Sequence, residues 1–503
     1  MTFIYHSPSG VEQSHAGGRP LLSLPQGGRV ALDRRMLAVW KSAQGRDLPG
    51  ALQQAAGLGL PPAEAAAGLA CLAQAGLLER RAAGLQPQTV HPDESLPPPV
   101  DALVSVIVVS YNSRAWLPAC FESLARQSHP RLEVVLVDNA SSDDSLAWTA
   151  ARYPQIHALR LETLQPLAGA INAGVQASHG DYLLVLNPDV ALDPQAVGWL
   201  LVTAHHDPRC AAAAAKLRFL WAPAFLNGLG NLVGAFSWGA DFGLGHLDLG
   251  QFDHLPELPS ACFAAALLPR PVFEAVGPLD AGFVMYYEDS EWCYRARLLG
   301  YRVLPAHQAV VYHAFSSRVP DGSPAGLADA KLQRVVYGRL HWITLLLGDA
   351  QRRRFALNYS LEDALRLALA WLRRRPAEVR AYRLARREYF AQLPSLLQQR
   401  AALQARRAID DVELFRPQLT APLPLVWRGL PLLTWDIVRS TYMPWLAQGA
   451  WQALPEWQDG AVPPPPGRPE AWPRRAAGLL RQEGPRGLLY RLARGFAWRL
   501  SRP

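Results

Sequence analysis

Residues 182–189 read Tyr-Leu-Leu-Val-Leu-Asn-Pro-Asp, and this stretch decides the fold class. A run of mostly β-favouring residues halted by Asn-Pro-Asp describes a buried strand whose carboxylate emerges where strand passes into loop. In open α/β sheets, ligands gather at that end of the strands. The pattern upstream agrees. Apolar runs at Val104–Ser110, Leu132–Val137 and His157–Leu161 alternate with helical periodicity over Ser113–Gln127, Asp143–Tyr153 and Leu167–Ala177. Strands alternating with amphipathic helices predict a parallel α/β sheet covered on both faces.

About a hundred residues later, Tyr287-Glu288-Asp289 opens the stretch Ser-Glu-Trp-Cys-Tyr-Arg-Ala-Arg (290–297). This reads as a loop feeding a helix, with two carboxylates at the N-terminus where the backbone dipole favours them. In isolation Asn-Pro-Asp is an ordinary turn and Glu288-Asp289 are ordinary capping charges; their order and context give them chemical meaning. The exit of the first strand, Ser110-Tyr111-Asn112-Ser113-Arg114, lacks the glycines of a dinucleotide-binding turn, the G-x-x-x-x-G-K-[ST] of a P-loop and the G-x-S-x-G of a nucleophile elbow. A polar and aromatic exit suits the holding of a base better than the cradling of phosphates.

Five segments in fixed order, VSVIVVSYN (104–112), LVDNASSDDS (136–145), LNPDV (186–190), MYYEDSEWCYRA (285–296) and VVYH (310–313), resemble family 2 glycosyltransferases, specifically the rhamnosyltransferase-like branch. The resemblance implies a GT-A fold, one mixed α/β sheet with the nucleotide half first and the acceptor half second. It implies that Ser110, Tyr111 and Asn112 lie at the nucleotide pocket, that Asp138 accepts hydrogen bonds from the base, and that Asn139 and Ser141 line the same pocket. Gly169 and Asn172 fall at the glycine-rich donor loop, where Leu164-Gln-Pro-Leu167 departs from the family's Asn-Leu-Gly-Phe. Asn187-Pro188-Asp189 takes the position of the D-x-D motif, with Asn187 replacing its first carboxylate. Asp189 would bind Mg²⁺ or Mn²⁺, and His313 would complete the metal or diphosphate shell, an imidazole suiting Mn²⁺ better. Asp289 is the expected base for the acceptor hydroxyl, with Glu288 as neighbour or rival, and direct displacement implies inversion at the anomeric carbon.

The rest of the chain bounds these expectations. Its 503 residues, 50% hydrophobic and 18% charged, describe a folded protein of two or three domains. Five widely spaced cysteines without a C-x-x-C pair indicate neither a disulfide framework nor a zinc site. The N-terminus lacks a signal-peptide pattern, and no apolar run reaches the ~18 residues of a membrane span. A cytoplasmic protein, at the inner face of the membrane, is expected. The formal charge of +8 is concentrated: residues 373–407 sum to +8 and residues 474–503 to +7, leaving −7 elsewhere. The basic amphipathic pattern around Leu479–Leu500 fits peripheral contact with an anionic membrane as well as a helix packed on its own domain.

Residues 1–85 predict three short helices, Leu32–Trp40, Leu48–Ala56 and Pro61–Gly76, with a strand or wing after Gly76. This pattern loosely resembles a winged-helix or PqqD-like peptide-recognition module. Its thin basic set, Arg34, Arg35 and Lys41, argues against nucleic acid. The expected organisation is this module, a linker over 86–101, a GT-A domain over 102–345 and a mostly helical, Arg-rich extension over 346–503. The expected partners are a nucleotide-diphospho-sugar donor and a glycan, lipid-linked or peptide acceptor. Rival readings are a sugar-nucleotide nucleotidyltransferase, whose triphosphate loop is missing after Ser110, and a non-catalytic GT-A scaffold that docks a peptide. The aromatic segment Phe219–Ser260 falls where the acceptor should sit.

Overall fold

The computed structural model describes residues 3–82, 97, 100–234, 239–315 and 326–446. Its centre is a nine-stranded mixed sheet. Val104–Ser110 pairs in parallel with Leu132–Asp138 on one side and Tyr182–Leu186 on the other, and His157–Arg160 extends the row. Ala265–Pro269 then runs antiparallel between Tyr182–Leu186 and Cys210–Phe219; Arg302–His313 lies parallel to the latter, and Val190–Leu192 closes the edge. This is the α/β, GT-A arrangement expected. The strand Tyr182–Leu186 and the neighbouring helices Ser145–Arg152 and Leu167–Gln176 fall within two residues of their expected bounds.

Strand periodicity places alternate residues on opposite faces. Ile107, Val135, Val137, Leu183 and Val185 enter one core, whereas Val104, Val106, Val108, Leu136, Leu184 and Leu186 enter the other. Both faces are covered, so the strands read as continuous apolar runs. The helix Leu167–Gln176 packs close to the sheet at Gly174, where a Cβ would stand 2.4 Å from Ile107 Cγ2.

The N-terminal segment holds the three expected helices together with strands that the sequence reading did not expect. Helices Arg34–Ala43, Leu48–Gly57 and Pro62–Gln74 are present, but Phe3–His6, Gln13–Ala16, Arg19–Ser23 and Arg29–Leu32 are strands. Phe3–His6 pairs with Glu79–Ala82. The other three form a sheet with Leu430–Leu433 and Val426–Trp427, from the region expected to be helical extension. One apolar core runs through Tyr5, Val30 and Met36, through Trp435, Val438 and Tyr442, and through Phe219, Phe225 and Leu247. The two ends of the described chain therefore share a core with the middle. Asp33 joins them: Oδ1 accepts from Met36 N at 2.8 Å as a helix cap, and Oδ2 accepts from Trp435 N at 2.9 Å.

The helices Gly326–Leu346, Asp349–Leu372 and Pro376–Ala405 cover the far side of the acidic loop, around Trp342, Phe355, Tyr359 and Phe415. No described helix is long and apolar enough to cross a membrane. The basic stretch 474–503, most of the linker 86–101, and Phe236 and Trp238 lie outside the described residues.

Replacing Asp33 with alanine removes a cap and leaves the Trp435 amide without its acceptor. Asp33→Ala is expected to cost about 2 kcal/mol or more in urea unfolding, and an unchanged midpoint would show that the two ends are not joined through this residue.

Candidate active site

Three polar constellations stand along the carboxyl edge of the parallel strands. At the first, Ser110 and Asp138 face each other across the ends of adjacent strands. Both are fully buried, and neither Ser110 Oγ nor either Asp138 carboxylate oxygen has a hydrogen-bond partner. A buried carboxylate without donors is costly, so this site is shaped for a ligand that donates. Tyr111, 52% exposed, stands at its mouth.

The asparagines expected in the pocket are engaged with backbone. Asn112, at φ 50°, accepts through Oδ1 from the amides of Ser142 and Asp143 at 2.8 and 3.2 Å, while Ser141 Oγ accepts from Asn112 N at 3.0 Å. Asn139 clasps Gln165, accepting from its amide at 2.8 Å and donating to its carbonyl at 3.0 Å. Asn172 does the same to Leu279, at 3.0 and 2.9 Å. These three side chains shape loops. A Cβ at Gly169 would meet its neighbours only at 3.8 Å or beyond, so that glycine keeps open space beside the loop.

The second constellation follows from strand register. Val190 pairs with His313, which brings Asp189 beside the ring, with His313 Nε2 3.3 Å from Asp189 Oδ1. Asn227 Oδ1 lies 2.7 Å from His313 Nδ1, a contact that a proton on Nδ1 satisfies, and Nε2 is the ring nitrogen turned to the carboxylate. Asp189 Oδ2 is buried without a partner. The 3.3 Å spacing of Nε2 and Oδ1 is one that a divalent cation could bridge with the ring neutral, since neighbouring ligands of an octahedral ion with bonds of about 2.1 Å stand about 3 Å apart. Asn187, half-buried, lies two residues before Asp189; its amide donates to Ala264 O at 3.1 Å.

The third lies at the start of the helix Glu288–Leu298. Tyr286 and Tyr287 hold positive φ, 70° and 72°, and turn the chain so that Glu288 and Asp289 point inward. Asp289 is surrounded by donors: Asn231 Nδ2 at 2.5 Å and Phe263 N at 3.4 Å reach Oδ2, and Ser290 N at 2.6 Å reaches Oδ1. Glu288 Oε2 has no partner. Burial raises both acids, and burial together with the Asp289 charge pushes Glu288 up to about 8. Asp241, opposite Asn231 in a short hairpin, is pushed up to about 7 by desolvation and by Asp289, against the pull of His313 and Lys331.

The sequence did not point to Asn227, Asn231 or Asp241. Asn227 and Asn231 bracket Gly-Leu-Gly, and a Cβ at Gly230 would sit 2.0 Å from the Ser260 carbonyl oxygen. That glycine-bracketed pair was the available signal. Four residues of extended chain span at most ~14 Å, so the asparagine on His313 and the asparagine on Asp289 tie the second and third constellations together. In the expected acceptor segment, Phe219, Phe225 and Phe242 are core, and Trp221 Nε1 donates to Ala314 O at 3.2 Å.

Residues 105–223 match the family model for glycosyl transferase family 2. A Haemophilus influenzae protein described as an uncharacterized glycosyltransferase is 32% identical over 122 residues, 24% of this chain and 39% of its own length. The low-salt glycan biosynthesis hexosyltransferase Agl10 of Haloferax volcanii is 27% identical over 203 residues, 39% of this chain and 61% of its own. The chain thus spans less than two thirds of these relatives. Among solved structures, the mannosyltransferase PcManGT from Pyrobaculum calidifontis, in complex with GDP-Man and Mn²⁺, matches at 18% identity, a TM-score of 0.36, and coverage of 68% of this chain and 97% of that one. The family-model match and the two sequence relatives support the family 2 reading without singling out the rhamnosyltransferase-like branch or a relative of the N-terminal module.

Raising the folded pKa of Glu288 above its ordinary 4.5, to about 8, makes the folded state bind a proton that the unfolded chain has released, so stability falls across that window as pH rises. Glu288→Gln is therefore expected to gain more in melting temperature at pH 8 than at pH 4.5. An equal shift at both would show that Glu288 is not held protonated by the fold.

Proposed function

We propose that this chain is an inverting glycosyltransferase that moves a sugar from a nucleotide-diphosphate donor to an acceptor hydroxyl, in the synthesis of cell-surface polysaccharide or glycoconjugate. The observation that carries it is the coexistence, on one sheet edge, of a donor-seeking carboxylate at Asp138, a cation-shaped pair at Asp189 and His313, and a buried acid pair at Glu288 and Asp289.

In this reading Asp138 and Ser110 receive the base and sugar of the nucleotide, and Tyr111 covers the base. Asp189 and His313 would hold Mg²⁺ or Mn²⁺, which when bound supplies Lewis-acid stabilisation of the departing diphosphate. Asp289, whose donors favour its charged form against the effect of burial, takes the proton of the acceptor hydroxyl. The acceptor oxygen forms its bond to the anomeric carbon as the bond from that carbon to the diphosphate oxygen breaks on the opposite face, which inverts the configuration.

The rhamnosyltransferase-like branch, a cytoplasmic location at the inner membrane face, membrane contact through the basic tail, and a lipid-linked, glycan or peptide acceptor presented to a PqqD-like N-terminal module belong to the same reading. They rest on the motif resemblance and the charge distribution.

Asp289→Asn is expected to lower turnover by about 10²- to 10⁴-fold with donor affinity within a few-fold of wild type. Asp189→Ala is expected instead to abolish the metal-dependent part of donor binding in calorimetric titration. Turnover at wild-type level in Asp289→Asn would move the base elsewhere. Asn231 lowers the Asp289 pKa by donation, so Asn231→Ala should move the acid limb of the rate profile to higher pH; a limb that stays in place would separate Asn231 from the base.

A further inference from the structure

The helix Asp349–Leu372 buries Phe355, Tyr359, Asp363 and Ala370 against the rest of the protein. Its opposite face is apolar and open. Leu357, Leu361, Leu365 and Leu372 are 60%, 61%, 61% and 68% exposed. At 100° per residue, these leucines and Ala368 occupy an arc of only about 80°, and from Leu357 to Leu372 the stripe runs for about 22 Å. The helix is thus apolar on its exposed face as well as on its buried one.

No charge interrupts the stripe. Glu362 pairs with Arg366 at 2.8 Å and Arg339 at 3.6 Å, and Asp363 pairs with Arg339 and, at 3.0 Å, with Arg386, all to the side or behind. The cations stand at its two ends, Arg352, Arg353 and Arg354 before it and Arg373, Arg374 and Arg375 after it. Trp371, 74% exposed, borders a groove of about 430 Å³ whose other wall carries Arg383 and Arg386. An apolar stripe with an aromatic at its margin and arginines at both ends is the pattern of a helix lying in a bilayer interface.

We propose that this face of Asp349–Leu372 seats the protein on an anionic lipid bilayer, with the leucines entering the acyl boundary and the arginines meeting the headgroups. Charge complementarity decides the occupant. A second copy would oppose one arginine-rich surface to another, and the chain's own tail, residues 474–503, carries +7. Seating here also bears on the active site. On the buried side, Tyr359 Oη donates to Gly234 O at 2.9 Å, three residues beyond the Asn231 that holds Asp289. The acidic loop thus rests against the back of the helix that meets the lipid, which fits an acceptor hydroxyl offered at a membrane surface.

Co-sedimentation of the full chain with vesicles tests this without donor or acceptor, so the outcome is independent of the transferase reading. Wild type is expected to bind vesicles containing phosphatidylglycerol, more weakly at high salt, and to leave phosphatidylcholine vesicles in solution. Leu361→Glu with Leu365→Glu, both at exposed positions, should reduce binding at least about tenfold with an unchanged melt. Replacing Arg373, Arg374 and Arg375 with glutamine should reduce it by about 100-fold. Truncation after residue 473 should leave stripe-dependent binding in place. Failure of wild type to bind anionic vesicles would overturn the proposal. So would a double glutamate variant that binds like wild type, or a wild-type dimer that this variant converts to monomer.

Discussion

Two adjacent carboxylates cannot be buried together unless donors and protons compensate the charge, and the loops around Glu288 and Asp289 are arranged around that constraint. Asn231, the Phe263 amide and Ser290 supply donors to Asp289. Glu288 receives none at Oε2 and is raised to hold a proton instead. The two consecutive tyrosines with positive φ just before the pair, each costing of order 1 kcal/mol or more, persist because the packing of Tyr287 against the helical cover fixes the turn. The result is an unequal pair: hydrogen-bond donors oppose the burial-driven rise at Asp289, while Glu288 is pushed up to about 8.

The hairpin segment that supplies Asn231 also supplies Asn227 to His313 and sets Asp241 between the two sites. Its stiffness comes from behind. Phe219, Phe225 and Leu247, on the same stretch of chain, are buried in the core formed by the N-terminal segment and residues 433–443. Residues 3–82 thus pack behind the loop whose asparagines contact His313 and Asp289.

Much of the sheet was legible because buried parallel strands are continuous apolar runs that stop at turn residues, as Tyr182–Leu186 does before Asn187-Pro188-Asp189. The acidic pair was legible because it opens a helix. The partners of these groups were not, since nothing local distinguishes Asn231, 58 residues from Asp289, from any loop asparagine. The same limit hid the use of Asn112, Asn139 and Asn172, whose backbone partners come from other loops. Gln13–Ala16 is polar and exposed, and Leu430–Leu433 contains Pro431, so neither shows strand alternation. Periodicity marked Asp349–Leu372 as helix; it could not tell which face the rest of the chain covers.

The most direct measurement is release of nucleoside diphosphate from a panel of UDP-, dTDP- and GDP-sugars with Mn²⁺ or Mg²⁺, alongside thermal shift. The expected result is metal-dependent stabilisation or slow hydrolysis with one donor, lost when Asp189 is replaced. Tight binding of a nucleotide sugar that is indifferent to the metal and to Asp189 would contradict the assignment of the cation and diphosphate site.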